Sequence, residues 1–113
     1  MKKGELLVGF SQEMRRGTII LCVLAKLKQS EYGYNLIGEL AEAGIPIEAN
    51  TLYPLLRRLE SQGLLKSTWN TTDAAKPRKY YATTDLGKEV LSELKMHWRE
   101  TVQNMNNILE GQV

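Results

Sequence analysis

Asn50-Thr51-Leu52-Tyr53-Pro54-Leu55-Leu56-Arg57-Arg58-Leu59-Glu60 runs into Ser61-Gln62-Gly63 and on through Leu64-Leu65-Lys66-Ser67-Thr68-Trp69. Leu52, Leu55, Leu56 and Leu59 recur at spacings that place one apolar stripe on an α-helix. Asn50, Tyr53, Arg57 and Arg58 fall on the opposite face, where their side chains reach outward as hydrogen-bond donors. Gly63 stands where a helix C-terminus wants a residue free to take positive φ. Beyond it the pattern predicts a two-stranded ribbon, Leu65–Trp69 and Arg78–Thr83, joined by a tip that holds Lys76. A donor-faced helix followed by a basic hairpin is the winged helix-turn-helix pattern, with the helix suited to a major groove and the ribbon to the neighbouring backbone.

The 113 residues suit one domain with a modest core, and 42% hydrophobic with 25% charged residues is ordinary for a globular chain. The net charge of +2 conceals a division. From Glu31 to Glu48 there are four acidic residues and no lysine or arginine; from Arg57 to Lys79 six basic residues face only Glu60 and Asp73. Charge separated in this way suits a polyanion, although a solvated surface without a partner can carry the same pattern. Cys22 is the only cysteine, so no disulfide forms within the chain. Its place in Ile19-Ile20-Leu21-Cys22-Val23-Leu24 suits a small hydrophobe, and no basic neighbour in the sequence would make it a reactive thiol. The apolar run from Leu6 to Phe10 is broken by Gly9 and ends at Ser11-Gln12-Glu13, too short for a secretory signal. No stretch is long enough to span a bilayer, so a cytoplasmic protein with no membrane partner is expected.

In chain order, residues 1–10 hold two glycines without a clear period, either a frayed arm or a pre-helix, and Ser11 offers an N-cap for the helical character that begins with Met14 and Arg15. Thr18 to Leu27 is apolar nearly all round, which predicts a helix covered on more than one side, the second cover being another chain. Glu31-Tyr32-Gly33-Tyr34 is expected to open the next helix, with Leu36, Ile37, Leu40 and Ala41 at core spacing and a stop at Ala43-Gly44. Ile45-Pro46-Ile47 is an extended connector. Pro54 fits best if its helix begins at Asn50 or Thr51; an earlier start predicts a local kink. Asn70 to Ala75 form the exposed tip of the ribbon, and Tyr80 and Tyr81 alternate, one toward the core and one toward solvent or nucleic acid. Thr84 caps the last helix, in which Leu86, Val90, Leu91, Leu94, Trp98, Thr101 or Val102, Met105, Ile108 and Leu109 recur at spacings of three and four. Some 40 Å of helix at 1.5 Å per residue outreaches a small core. Such a seam wants a partner, most simply a second copy about a two-fold axis. The expected fold is therefore mainly α with a small β-hairpin. Residues 1–83 form a winged helix-turn-helix DNA-binding domain whose first helix contributes to the dimer, and residues 84–113 form a dimerisation helix.

No constellation supports catalysis, and neither a cofactor nor a metal is expected. His97 is the only histidine and has no carboxylate or cysteine at ligand spacing, and the chain carries no phosphate loop, nucleophile elbow or paired-acid motif. The DNA reading rests on named donors. Asn50 and Arg57 can bind adenine and guanine in bidentate fashion, and the Thr51 and Tyr53 hydroxyls suit phosphates near the helix N-terminus. Lys76, Arg78 and Lys79 suit the backbone or minor groove and would make binding salt-dependent. Taken singly, each of these is also an ordinary solvated side chain; their joint order favours double-stranded DNA. The alternative is a winged-helix module that binds a protein partner and no DNA. Trp98 admits two roles, a core or dimer-seam tryptophan and a flat wall for a planar aromatic ligand between two copies.

Tyr32-Gly33-Tyr34, the Asn50 to Glu60 segment with Gly63-Leu64-Leu65, and Arg78-Lys79-Tyr80-Tyr81-Ala82-Thr83-Thr84 with Gly87 strongly resemble the PadR family of transcriptional regulators. The resemblance covers about residues 14–109. It implies a homodimeric winged-helix repressor whose first and last helices build the dimer, which places Ile20, Leu24, Leu91, Leu94, Met105 and Ile108 at the seam. It also implies an effector that releases DNA. The last helix with Trp98 resembles the compact branch that includes multidrug-binding repressors, in which a matching tryptophan lines a pore at the dimer interface. Met14, Leu94, Trp98, Thr101 and Val102 are the corresponding ligand candidates here. Two departures stand out: the wing tip Asp73-Ala74-Ala75-Lys76-Pro77 lacks the glycine many relatives carry, and the turn after Trp98 offers Thr101 and Val102 where drug-binding relatives have an acid.

Overall fold

The computed structural model describes residues 1–72 and 75–111, and the first helix of the core follows from one run of apolar residues. Ile19–Lys26 form α2, which buries Ile19, Val23 and Leu24 and leaves Ile20, Leu21 and Cys22 half-buried against the same cluster. Burial pushes the Cys22 thiol above its ordinary pKa, which keeps it protonated and fits a small hydrophobe rather than a nucleophile. Before it, Lys3–Arg16 form α1, a continuous helix that runs through Gly4 and Gly9 and buries no residue. The frayed arm is thus excluded, and Ser11 lies inside the helix instead of capping it.

Glu31 and Tyr32 differ from the expected helix start. They form a two-residue strand, β1, and α3 begins only at Gly33 and runs to Glu42. α3 buries Leu36 and Leu40 beneath a half-buried Ile37, while Ala41 faces solvent. The connector 45–47 then leads into α4, Ala49–Ser61. Pro54 is the sixth residue of α4, so the Asn50 carbonyl has no N–H four residues on; Asn50 is exposed and water can supply that bond. Leu52, Leu56 and Leu59 are buried and Leu55 half-buried, which turns the predicted stripe inward. Gly63 takes φ +80° directly after the helix, and the Leu64 N–H donates to the Leu59 carbonyl across 2.9 Å, the six-to-one bond of a glycine-closed helix end.

Leu65–Asn70 and Arg78–Thr83 form β2 and β3, paired antiparallel from Leu65 opposite Thr83 to Asn70 opposite Arg78. β1 joins the far side of β3, with Glu31 opposite Tyr81 and Tyr32 opposite Tyr80, so the ribbon is the larger part of a three-stranded sheet in the order β1-β3-β2. Of the expected tip, Asp73 and Ala74 lie outside the described residues. Tyr81 packs into the core and Tyr80 lies half-buried on the other face beside Tyr32, ring centroids 5.9 Å apart. Asp85–Leu109 form α5, and its Thr84 cap accepts a hydrogen bond from the Gly87 N–H at 3.0 Å. Only the start of this helix meets the core: Leu91 is buried, Leu86 is half exposed, and from Met96 onward the apolar side chains face outward. At about 37 Å long, α5 gives the molecule a longest dimension of 58 Å. Leu24 and Leu91, expected at a seam between chains, have 0% and 1% of their surface exposed. They have no area to offer a second chain and are core leucines.

Candidate nucleic-acid interface

The buried leucines of α4 fix which of its side chains look outward. Asn50, Arg57 and Arg58 stand exposed on the face away from the core. Thr51 and Tyr53 are two residues apart, about 200° around a helix, and point to opposite flanks. Thr51 lines a groove shared with α1, and Tyr53 lines a second groove shared with the sheet.

The second groove, of about 380 Å³, is walled by Tyr32, Tyr34, Tyr53, Arg57, Trp69, Pro77, Lys79 and Tyr81. Its shape depends on β1. Pairing with β3 sets Tyr32 opposite Tyr80, Tyr34 in the first turn of α3 stacks on Tyr32 (5.8 Å between ring centroids), and Gly33 admits the Tyr81 ring where a Cβ would come within 3.0 Å of it. Burial pushes the Tyr53 phenol above its ordinary pKa, with smaller contributions from Tyr32, Tyr34 and Tyr81. Tyr53 therefore stays a neutral O–H donor at physiological pH.

The cations of the wing differ in how free they are. Lys76 and Arg78 are exposed, and the Arg78 guanidinium lies 5.3 Å from the centre of the Tyr32 ring. Lys79 is held by its own chain: its ammonium is 3.8 Å from the Glu60 carboxylate, 5.9 Å from the Trp69 ring centre and 5.2 Å from that of Tyr81. The Ser67 hydroxyl donates to the other Glu60 oxygen, so Glu60 ties the end of α4 to both strands of the wing. The structure thus brings Asn50, Tyr53 and Arg57 to one side of α4 and the wing, with Thr51 on the far flank. It adds Tyr32, Tyr34 and Trp69, which the sequence did not assign to this surface because they meet only in the folded chain.

Residues 20–93 match the transcriptional regulator PadR-like family. The chain belongs to that family. A PadR family transcriptional regulator from Eggerthella lenta has a similar crystal structure, with 50% identity, 95% of each chain covered and a TM-score of 0.90. A PadR-like transcriptional regulator (BC4206) from Bacillus cereus is 33% identical over 86% of this chain and 96% of its own, with a TM-score of 0.76. The transcriptional regulator Rv3488 of Mycobacterium tuberculosis is 35% identical over 83 residues, 73% of this chain and 77% of its own. The protein is a PadR-family transcriptional regulator of winged-helix fold and not an enzyme, and DNA is the partner on which such a regulator acts. Among the described residues, no helix is long and apolar enough to cross a membrane.

The expected ligand residues lie on two separate helices. Met14 is on α1 and 79% exposed; Leu94, Trp98, Thr101 and Val102 are on α5, with Leu94 half-buried and Trp98 45% exposed. Of the expected seam, Ile20 and Leu94 are half-buried, and Met105 and Ile108 are exposed. His97 is exposed beside Trp98.

Proposed function

We propose that this PadR regulator is a homodimeric repressor that reads its operator with α4 and is released by a planar hydrophobic effector held between two copies. The observation that carries the DNA half is the outward face of α4, where Asn50 and Arg57 stand free opposite buried leucines. In a major groove these two side chains can make bidentate contacts to bases, while Thr51 and Tyr53 take phosphates and Lys76, Arg78 and Lys79 add backbone charge. Residues 1–83 then serve as the DNA-binding domain and 84–113 as the dimerisation helix. The dimer half is supported by uncovered apolar side chains on both terminal helices: Leu7, Phe10 and Met14 on α1, and Trp98, Val102, Met105 and Ile108 on α5. With so much exposed apolar area, a second copy is the economical cover. Ile20, Leu94, Met105 and Ile108 contribute to that seam. Two Trp98 side chains near the two-fold axis, with Leu94, Thr101, Val102 and Met14, would wall a slot for a planar ligand. The repressor role rests on the family resemblance. The three relatives come from bacteria, whose chromosome lies in the cytoplasm, and that is the proposed location.

Two titrations test this. Duplexes selected from a random-sequence pool by the unaltered protein should bind with steep salt dependence, and Arg57→Ala should weaken binding by about 1–3 kcal/mol if it reads a base. Equal binding by the variant would remove Arg57 from the site. Planar aromatic dyes should quench tryptophan fluorescence in the unaltered protein and not in Trp98→Ala, Trp69 serving as the internal control.

A further inference from the structure

A helix lying in a major groove has a phosphate backbone on each side of it, about 12 Å apart. The wing accounts for one side of α4 only. The opposite flank carries a groove of about 400 Å³, bounded by Gln12, Arg15 and Arg16 of α1, by Thr51 of α4, and by Ile47 and Glu48 before it. The α1–α2 corner closes directly after them: the Thr18 hydroxyl and N–H both donate to the Arg15 carbonyl, across 2.8 and 3.0 Å. Arg16 is exposed and Arg15 half-buried, and among the described residues neither makes an ion pair, although Glu48 shares the groove. Two guanidiniums against one carboxylate leave this flank cationic. Arginine at a helix C-terminus also suits the helix dipole. That accounts for arginines in the last turn of α1, but not for their convergence on the flank of α4 that the wing leaves unattended.

We infer that Arg15 and Arg16 form a second phosphate clamp, gripping the DNA backbone across the groove from the wing. The inference rests on the proposal that α4 reads a major groove, and it makes the terminal helix α1 part of the DNA-binding surface. α4 is then held between two cationic walls, Arg15 and Arg16 with Thr51 on one side and Arg78 and Lys76 with Tyr53 on the other. Both walls contact phosphate, so the α1 wall contributes affinity and orientation but no base preference.

The test uses the full chain and a duplex selected by the unaltered protein from a random-sequence pool. Arg15→Gln/Arg16→Gln should lower the slope of log affinity against log salt by about 0.9 for each phosphate that is no longer neutralised. It should weaken selected and scrambled duplexes by the same factor. Arg15→Lys/Arg16→Lys should retain most of the slope, which separates loss of charge from loss of fold, and sedimentation should show the same subunit assembly for all three proteins. An unchanged slope in the glutamine variant, while Arg57→Ala still weakens binding, overturns the clamp and leaves the α4 reading intact. A loss that tracks altered assembly also overturns it, assigning the arginines to a contact between copies. Failure of the unaltered protein to bind any duplex would defeat the reading of α4 and the clamp together.

Discussion

The Thr83 hydroxyl donates to the Leu24 carbonyl across 2.8 Å, and the Thr83 N–H donates to the Leu27 carbonyl across 2.7 Å. Leu24 would ordinarily receive the N–H of residue 28, but Lys28 donates to Ala25 instead, so the end of α2 depends on β3 for its closing hydrogen bonds. One threonine, 4% exposed, thus ties the first core helix to the last strand just before the chain enters α5.

Thr83→Val preserves the shape of that side chain and strands the Leu24 carbonyl. The cost should be about 1–3 kcal/mol, a fall in Tm of about 4 °C for each kcal/mol. Thr83→Ser, which keeps the donor, should recover most of it. Calorimetry of the two variants decides the matter, and equal stability would mean that the carbonyl finds another donor.

What the sequence disclosed depended on the length of the periodic signal. The stripe of α4 needs four leucines within eight residues, and its placement toward the core survived in full. Gly44 and Gly63, at φ +86° and +80°, end α3 and α4 where turn chemistry predicts. β1 escaped because two residues have no period, and only pairing with β3, some 50 residues away, makes Glu31 and Tyr32 a strand. The tyrosine-walled groove was hidden for the same reason. The start of α1 stayed open between an arm and a helix because Gly4 and Gly9 each weaken a helix by about 1 kcal/mol and the helix that forms buries no residue. Lys79 was legible as a cation but not as one already engaged by Glu60, since that pair depends on how α4 meets the wing.

Glu31 gives a pH dependence whose sign can be worked out. Its carboxyl and that of Glu39 each hold an oxygen shut off from solvent, with Lys26 3.4 Å from the Glu39 oxygen. Burial first, then the hydrogen bond and repulsion from Glu39, raise the Glu31 pKa above its ordinary 4.5, while Lys26 opposes the shift. A carboxyl whose pKa is raised by folding contributes stability that is complete below the unfolded value and is lost as pH rises through the folded one. At neutral pH the ionised Glu31 is therefore a liability. Glu31→Gln should raise Tm at pH 7, and the advantage should shrink as pH falls through the raised folded value toward 4.5 and be gone below it. A gain that persists unchanged at low pH would mean that the glutamine acts by packing and not by charge.

Phe10 separates the stability of one subunit from that of an assembly. It is 59% exposed on α1, a helix with no buried residue, so a charge there should disturb an isolated chain little. If a second copy covers α1, however, Phe10→Glu places an unpaired carboxylate in an apolar contact, a cost of several kcal/mol for each of two symmetric positions. The variant should therefore sediment as a monomer with native circular dichroism, while the Tm of the unaltered protein rises with its concentration and that of the variant does not. Operator affinity should fall with it, because a lone subunit grips only one half-site. A variant that stays dimeric with full affinity would show that α1 lies outside the subunit contact, leaving α5 alone to hold two copies together.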